Sequence, residues 1–217
     1  MAIHRITFDS KEEWLKHRTR IGGSDASCIV GLNPWKTNVQ LWLEKTGQAV
    51  PDDISDKDCV KYGVSAEPLL RELFALDFPQ YEVEYFGDNM ILNDDFPFGA
   101  ASLDGELTER ATGRKGILEI KTTNILQSMQ KEKWKNRLPD NYYVQCLHYL
   151  LITGYSFAIL KAQLKSEFNG EIYLQTKHYY IDRAEVEEDI KFLESSERRF
   201  WEQVQKRQEP GLMLPEI

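Results

Sequence analysis

Four residues, Leu118-Glu119-Ile120-Lys121, constrain this chain more than any others. They lie in an apolar, β-branched run over 116–122 that reads as a strand. Residues i and i+2 of a strand share one face, roughly 7 Å apart. Glu119 and Lys121 therefore project side by side, while Leu118 and Ile120 point the other way into a core. Bulky apolar neighbours on both sides make this a central strand rather than an edge. Ser102-Leu103-Asp104-Gly105 ends an earlier strand-like segment, Phe98 to Leu103, at a glycine turn. If the two strands pair, Asp104 and Glu119 converge on one divalent ion with Lys121 close by. That is the minimum equipment for metal-assisted phosphodiester hydrolysis. The plain alternative is a surface Glu–Lys pair with an Asp in a turn.

The donor chemistry narrows the metal. Two carboxylates and a backbone carbonyl make an oxygen-only shell, which suits Mg²⁺ or Mn²⁺ rather than zinc. Lys121 would orient a water or stabilise charge building on phosphorus. Glu67, in Gly63-Val64-Ser65-Ala66-Glu67-Pro68, favours the dipole at a helix start and shares a stripe with Leu70 and Phe74. Such a carboxylate wants a cation, either a metal or Arg71. Gln145 falls mid-helix, and a buried amide must find partners. Those are either neighbouring backbone or an active-site carboxylate or water. Gly22-Gly23-Ser24 before a helix start offers free N–H groups to an anion, with Arg18 one turn upstream, although many helices begin this way. The five tryptophans and His148 read as structural.

Helices are expected from the capping boxes Ser10-x-x-Glu13 and Thr37-x-x-Gln40, from Gly22–Asp25 to a stop at Gly31, over 65–76, over 124–135, from Pro139-Asp140 to Gly154, and from Asp182 to about 208. Residues 48–60 read as a loop. Strands are expected over 83–93, 98–104 and 116–122, then 157–164 and 171–181 around an Asn169-Gly170 turn. The body of the helix before Gly154, Tyr142 to Ile152, is almost continuously apolar and must be buried. With no repeat or linker, the expectation is one mixed α/β domain over residues 1–217, a central mixed β-sheet flanked by helices.

Composition excludes several classes. No stretch approaches the ~20 apolar residues of a membrane span. The N-terminus carries no secretory apolar region, and three scattered cysteines form neither a disulfide framework nor a metal knuckle. A cytoplasmic setting is expected. The net charge of −8 argues against non-specific coating of nucleic acid. It leaves room for a nuclease, because a metal ion offsets catalytic carboxylates. Basic stretches at 110–115, 131–137 and 198–207 are where phosphates would go.

The ordered series Trp14-x-x-x-Arg18, Ile21-Gly22-Gly23-Ser24-Asp25-Ala26, Gly31-Leu32-Asn33-Pro34-Trp35, Leu41-Trp42-x-x-Lys45-Thr46-Gly47, Gly63-x-x-x-Glu67-Pro68, Ser102-Leu103-Asp104-Gly105, Leu118-Glu119-Ile120-Lys121 and Tyr143-x-Gln145 resembles the phage-type exonucleases. These are the YqaJ-like viral recombinases and the lambda exonuclease family, within the PD-(D/E)xK nuclease superfamily. The resemblance covers roughly residues 10 to 155. It implies a restriction-endonuclease-like core and Mg²⁺-dependent digestion of one strand of duplex DNA from a 5′ end. It makes Asp104, Glu119, the Ile120 carbonyl and Glu67 the metal site, Lys121 the catalytic lysine and Gln145 a helix glutamine of the active site. Arg18, Arg20 and Ser24 match positions that hold the terminal 5′-phosphate. The resemblance also implies a bacterial cell and a phage or prophage origin, a ring-shaped trimer on double-stranded DNA ends, and a single-strand annealing protein as partner. Three departures stand out. Leu103 replaces the usual proline, Leu147 stands where some relatives have a second glutamine, and the spacing from Arg18 to Ile21 is one short. The last leaves either Arg18 or Arg20 as the phosphate contact. The competing functions are an endonuclease or nickase on the same scaffold, and a non-catalytic DNA-binding module.

Overall fold

The computed structural model describes residues 2–126, 128–135 and 137–214. Gln127 and Asn136, inside segments expected to be helical and basic, lie outside the described residues. The centre is a five-stranded mixed sheet of order β2 (Tyr81–Glu84), β4 (Gly105–Glu109), β5 (Lys115–Asn124), β6 (Phe157–Phe168) and β7 (Glu171–Asp182). Only β5 and β6 run parallel, and α6 (Asp140–Thr153) lies in the crossover between them. Period-two alternation along β5 builds both faces. Leu118 and Ile120 pack with Leu70 and Phe74 of α4 (Asp58–Asp77), whereas Ile117 packs with Leu147 and Leu150 of α6. The other helices are α1 (Lys11–His17), α2 (Gly23–Ile29), α3 (Asn38–Lys45), α5 (Ser128–Lys133) and α7 (Glu187–Lys206). The apolar run of α6 is buried from Val144 to Thr153 between the sheet, α2 and α7, and Gly154 closes it at φ +66°. Positive φ at Asn169 and Gly170 gives the expected tight turn between β6 and β7.

Several elements differ from expectation. The run over 83–93 is not one strand. It breaks at Gly87, at φ +67°, into β2 and β3 (Asn89–Asn93), which belong to different sheets. A strand absent from the sequence reading, β1 (Ile3–Thr7), pairs antiparallel with β3. Residues 98–104 form no strand. Their backbone is satisfied by isolated bridges, Gly99 to Ile21 and Ala101 to Ile91. The central helix α4 begins at Asp58, inside the expected loop, and runs through Pro68. The missing proline N–H leaves the Val64 carbonyl without its helical donor, and Val64 is exposed, so water can serve there. Asp182 caps a short 3-10 turn over 183–185 rather than the last helix. The helix expected over 124–135 shortens to α5, because β5 extends through Asn124. Among the described residues no helix is long and apolar enough to cross a membrane.

Candidate active site

Sheet register brings the acids together. Gly105 opens β4 opposite Leu118, so Asp104 lies beside Glu119. Asp104 thus precedes a strand instead of ending one, and the convergence comes from β4 rather than from 98–103. Its Oδ2 accepts the Ile120 N–H at 2.7 Å, extending the ladder with a carboxylate. Glu119 points to the α6 face and is 1 % exposed. Its Oε1 accepts from Lys121 Nζ at 2.5 Å and from Gln145 Nε2 at 2.7 Å. Its Oε2 is buried and has no hydrogen-bond partner among the described residues. The Gln145 amide thus holds the Glu119 carboxylate rather than neighbouring backbone. Gln145 also donates to the Tyr149 hydroxyl at 3.0 Å. Tyr149 carries no motif in the sequence, although the i, i+4 spacing puts it on the face of Gln145.

Electrostatics mark this cluster. Loss of hydration, then the Glu119 charge, pushes the Asp104 carboxyl well above the usual range. Burial likewise raises Glu119, against the pull of Lys121. Burial alone would lower Lys121, but Glu119 and then Asp104 outweigh it and hold the ammonium charged. The buried Glu119 and the half-buried Asp104 share one ammonium, and one carboxylate oxygen is left bare. A hard cation meets both deficits, so these residues fit a divalent metal. Glu67 has Arg71 as its partner at 2.9 Å, and among the described residues no three His, Cys, Asp or Glu side chains close into a metal cage. A metal held here would draw first on Asp104 and Glu119, since the Glu67 carboxylate is already paired.

A cavity of about 300 Å³ opens beside Asp104. Its wall includes Glu67, Asp104, Gln145 and Tyr149, and also Lys11, Arg18, Arg20 and Ser24. Glu119 and Lys121 do not line it, but Gln145, which does, donates to Glu119. Arg18 Nη2 donates to Ser24 Oγ at 2.8 Å. The expected niche of free N–H groups is partly closed, because Asp25 Oδ2 accepts the Gly22 N–H at 3.1 Å. Asp25 also pairs with Lys45 at 2.8 Å. Burial would raise the Asp25 carboxyl, but Lys45 and Arg18 outweigh burial and hold it low. Lys11 is a lining residue that sequence reasoning missed, and Ser102, named there only as part of its motif, lines the cavity too. Trp14 Nε1 donates to Ser102 Oγ at 3.2 Å, so the Trp14-x-x-x-Arg18 helix is tied to the wall.

Residues 13–156 match the YqaJ-like viral recombinase domain. The chain belongs to this family. It is 36% identical over 149 residues to the protein YqaJ of Bacillus subtilis strain 168, covering 67% of this chain and 43% of that protein. The chain thus spans less than half the length of that curated relative. The fold is similar to an alkaline exonuclease, LHK-Exo, from Laribacter hongkongensis, with TM-score 0.65 and 17% identity over 92% of this chain and 95% of that one. LHK-Exo in complex with dAMP aligns at TM-score 0.63 and 18% identity, with the same coverage of both chains. A phage-related exonuclease from Haemophilus somnus 129PT aligns at TM-score 0.53 and 12% identity, over 93% of this chain and 91% of that one. The mixed α/β architecture of this YqaJ-family chain is therefore that of the alkaline exonuclease fold.

Proposed function

We propose that this YqaJ-family protein is a Mg²⁺-dependent deoxyribonuclease that digests one strand of linear duplex DNA from its 5′ end. The observation that carries the reading is the bare, buried Oε2 of Glu119, in a cluster where two acids share one lysine beside a cavity that also presents arginines. Asp104, Glu119 and the Ile120 carbonyl would hold Mg²⁺, or Mn²⁺ in its place, with Glu67 as a further oxygen donor. When bound, such an ion polarises the scissile phosphate and lowers the pKa of a water.

The chain's own groups do the rest. Gln145 fixes the Glu119 carboxylate through Oε1, leaving Oε2 for another partner. Lys121, held charged, orients the attacking water or stabilises the charge that builds on phosphorus. Arg18, with Arg20 and Ser24, binds the terminal 5′-phosphate, since a guanidinium fork matches phosphate oxygens. LHK-Exo was crystallised with dAMP, and a nucleoside monophosphate is what such digestion releases. We further propose that residues 1–217 act as one domain in the bacterial cytoplasm on behalf of a phage or prophage. Its substrate is double-stranded DNA ends, its assembly is a ring-shaped trimer, and its partner is a phage single-strand annealing protein.

The test is a time course on linear duplexes with and without a 5′-phosphate, in Mg²⁺ and in EDTA. Mg²⁺-dependent release of nucleotides, faster with the phosphate, is expected. Cutting of covalently closed circles would move the assignment to an endonuclease. Salt-sensitive binding with no hydrolysis would leave a DNA-binding module.

A further inference from the structure

We propose that Arg71 is a positioning residue that sets both the Asp104 main chain and the Glu67 carboxylate from behind the cavity wall. The proposal rests on the nuclease reading and deepens it. Arg71 lies one helical turn after Glu67 on α4. Its Nη1 donates to Glu67 Oε1 at 2.9 Å and to the Asp104 carbonyl at 2.5 Å. Its guanidinium carbon sits 3.6 Å from the centroid of the Tyr85 ring. Glu67, Asp104 and Tyr85 all line the cavity, and Arg71 does not. Its side chain is 13% exposed. One planar cation therefore ties three wall residues together without facing what the cavity holds.

The consequence falls on Asp104. Its carboxylate is pinned by the Ile120 N–H and its carbonyl by Arg71, so the residue is held at both ends. The stem of Arg71 packs at Gly105, where an added Cβ would lie 3.6 Å from Arg71 Cδ and 3.3 Å from Leu118 Cβ. Without the guanidinium, the carbonyl that starts β4 loses its donor and Glu67 loses its restraint. Both acids would then have to be ordered by the metal itself, at a cost in affinity. A lysine cannot replace this group. Its point charge neither stacks on Tyr85 nor serves two acceptors in a fixed plane. Geometry, more than charge, is what Arg71 supplies.

Three variants of the full chain test this: Arg71→Lys, Arg71→Met and Tyr85→Leu, the last removing the stack and leaving the guanidinium. Three readouts are taken: Mn²⁺ affinity by titration calorimetry without DNA, kcat and KM on a 5′-phosphorylated linear duplex, and thermal unfolding. Loss of groups that orient metal ligands weakens metal affinity or activity about 10–100-fold. Both Arg71 variants should lose Mn²⁺ affinity and kcat on that scale, with KM for DNA within about threefold and no rescue by lysine. Tyr85→Leu should fall in between. The proposal is overturned if Mn²⁺ affinity is unchanged. A KM that rises while kcat holds also overturns it, because Arg71 would then touch DNA. Rescue by Arg71→Lys, or loss of folding in all three variants, overturns it too. A wild-type chain that binds Mn²⁺ yet cleaves nothing defeats the nuclease reading alone, and the affinity ratios still decide the role of Arg71.

Discussion

At the scale of single residues, the cluster around Glu119 carries strain of an electrostatic kind. Asp104 is half-buried and crowded by a second acid, so folding works against its ionisation. Asp104→Asn keeps an oxygen for the Ile120 N–H and removes the charge. The variant should gain about 1 kcal/mol of stability in EDTA, measured by urea unfolding, and lose about 10²–10³-fold in kcat. A variant that is destabilised, or that still cleaves at the wild-type rate, would remove Asp104 from this role. Gly23 supplies a second case. A Cβ there would meet Tyr149 Cε1 at 2.5 Å, so Gly23→Ala must displace the ring whose hydroxyl receives Gln145. Overpacking of this kind costs about 1–3 kcal/mol. Calorimetric unfolding should show that loss, and nuclease assays should show a fall in kcat as Gln145 loses an anchor. Both effects follow from contacts across the fold, which explains how much of the site was legible. Glu119-x-Lys121 was readable because strand periodicity is local, whereas Asp104 was placed beside it through a glycine turn that does not form, since Gly105 opens β4. The bond from Gln145 to Glu119 and the choice of Arg71 by Glu67 depend on where α6 and α4 land on the sheet. Spacing alone left both open.

Between elements, the buried pair of His148 on α6 and Glu197 on α7 ties the helix of Gln145 to the last helix. His148 Nδ1 lies 2.7 Å from Glu197 Oε1, and Nε2 lies 3.1 Å from the Ala100 carbonyl. Both ring nitrogens face acceptors, a geometry that favours the doubly protonated ring. Burial would lower its pKa, but the Glu197 carboxylate outweighs burial and raises it. A raised folded value stabilises fully below the unfolded imidazole value of about 6.5 and is lost as pH climbs through the folded value. Urea unfolding from about pH 6 upward should show wild-type stability falling more steeply than that of His148→Gln, the difference between the two slopes being the share of the charged pair. His148→Ala should cost about 3 kcal/mol, since Glu197 is left buried and unpaired. Equal slopes for wild type and His148→Gln would remove the charged pair. Sequence reasoning left His148 as structural, and it is a tertiary cross-link with no motif of its own. Elements with strong local signals, such as α6 and the β6–β7 turn, were readable for the opposite reason. The failures at 83–93 and 98–104 share one cause. Apolar alternation does not reveal which strand a segment pairs with, and here the partners are β1, Ile21 and Ile91.

Across the whole molecule, the net charge of −8 limits how the proposed DNA substrate could be held. The basic stretches expected to meet phosphate are largely spent on the protein's own acids. Arg114 pairs with Asp182, Lys115 with Glu84, Arg198 with Glu194 and Lys206 with Glu202. At the cavity, Lys11, Arg18 and Arg20 form no ion pair within 4 Å among the described residues, although Arg18 donates to Ser24 and feels the Asp25 charge, and these three are the cations the proposal would turn to a DNA end. Three neutralised phosphates give a plot of log K against log salt with a slope of about −3. Fluorescence anisotropy of a 5′-phosphorylated duplex, titrated in KCl with EDTA, should return that shallow slope, and Arg18→Ala should flatten it by about one unit. So weak an electrostatic grip cannot by itself keep an enzyme on its track through many steps. The proposed closed ring would resolve this by enclosure, which slows escape without phosphate attraction, and sedimentation at working concentration should then show an oligomer. A steep slope, about −8 or beyond, together with a monomer would mean the stretches at 110–115, 131–137 and 198–207 open their pairs to bind DNA. Retention would then rest on charge rather than on closure.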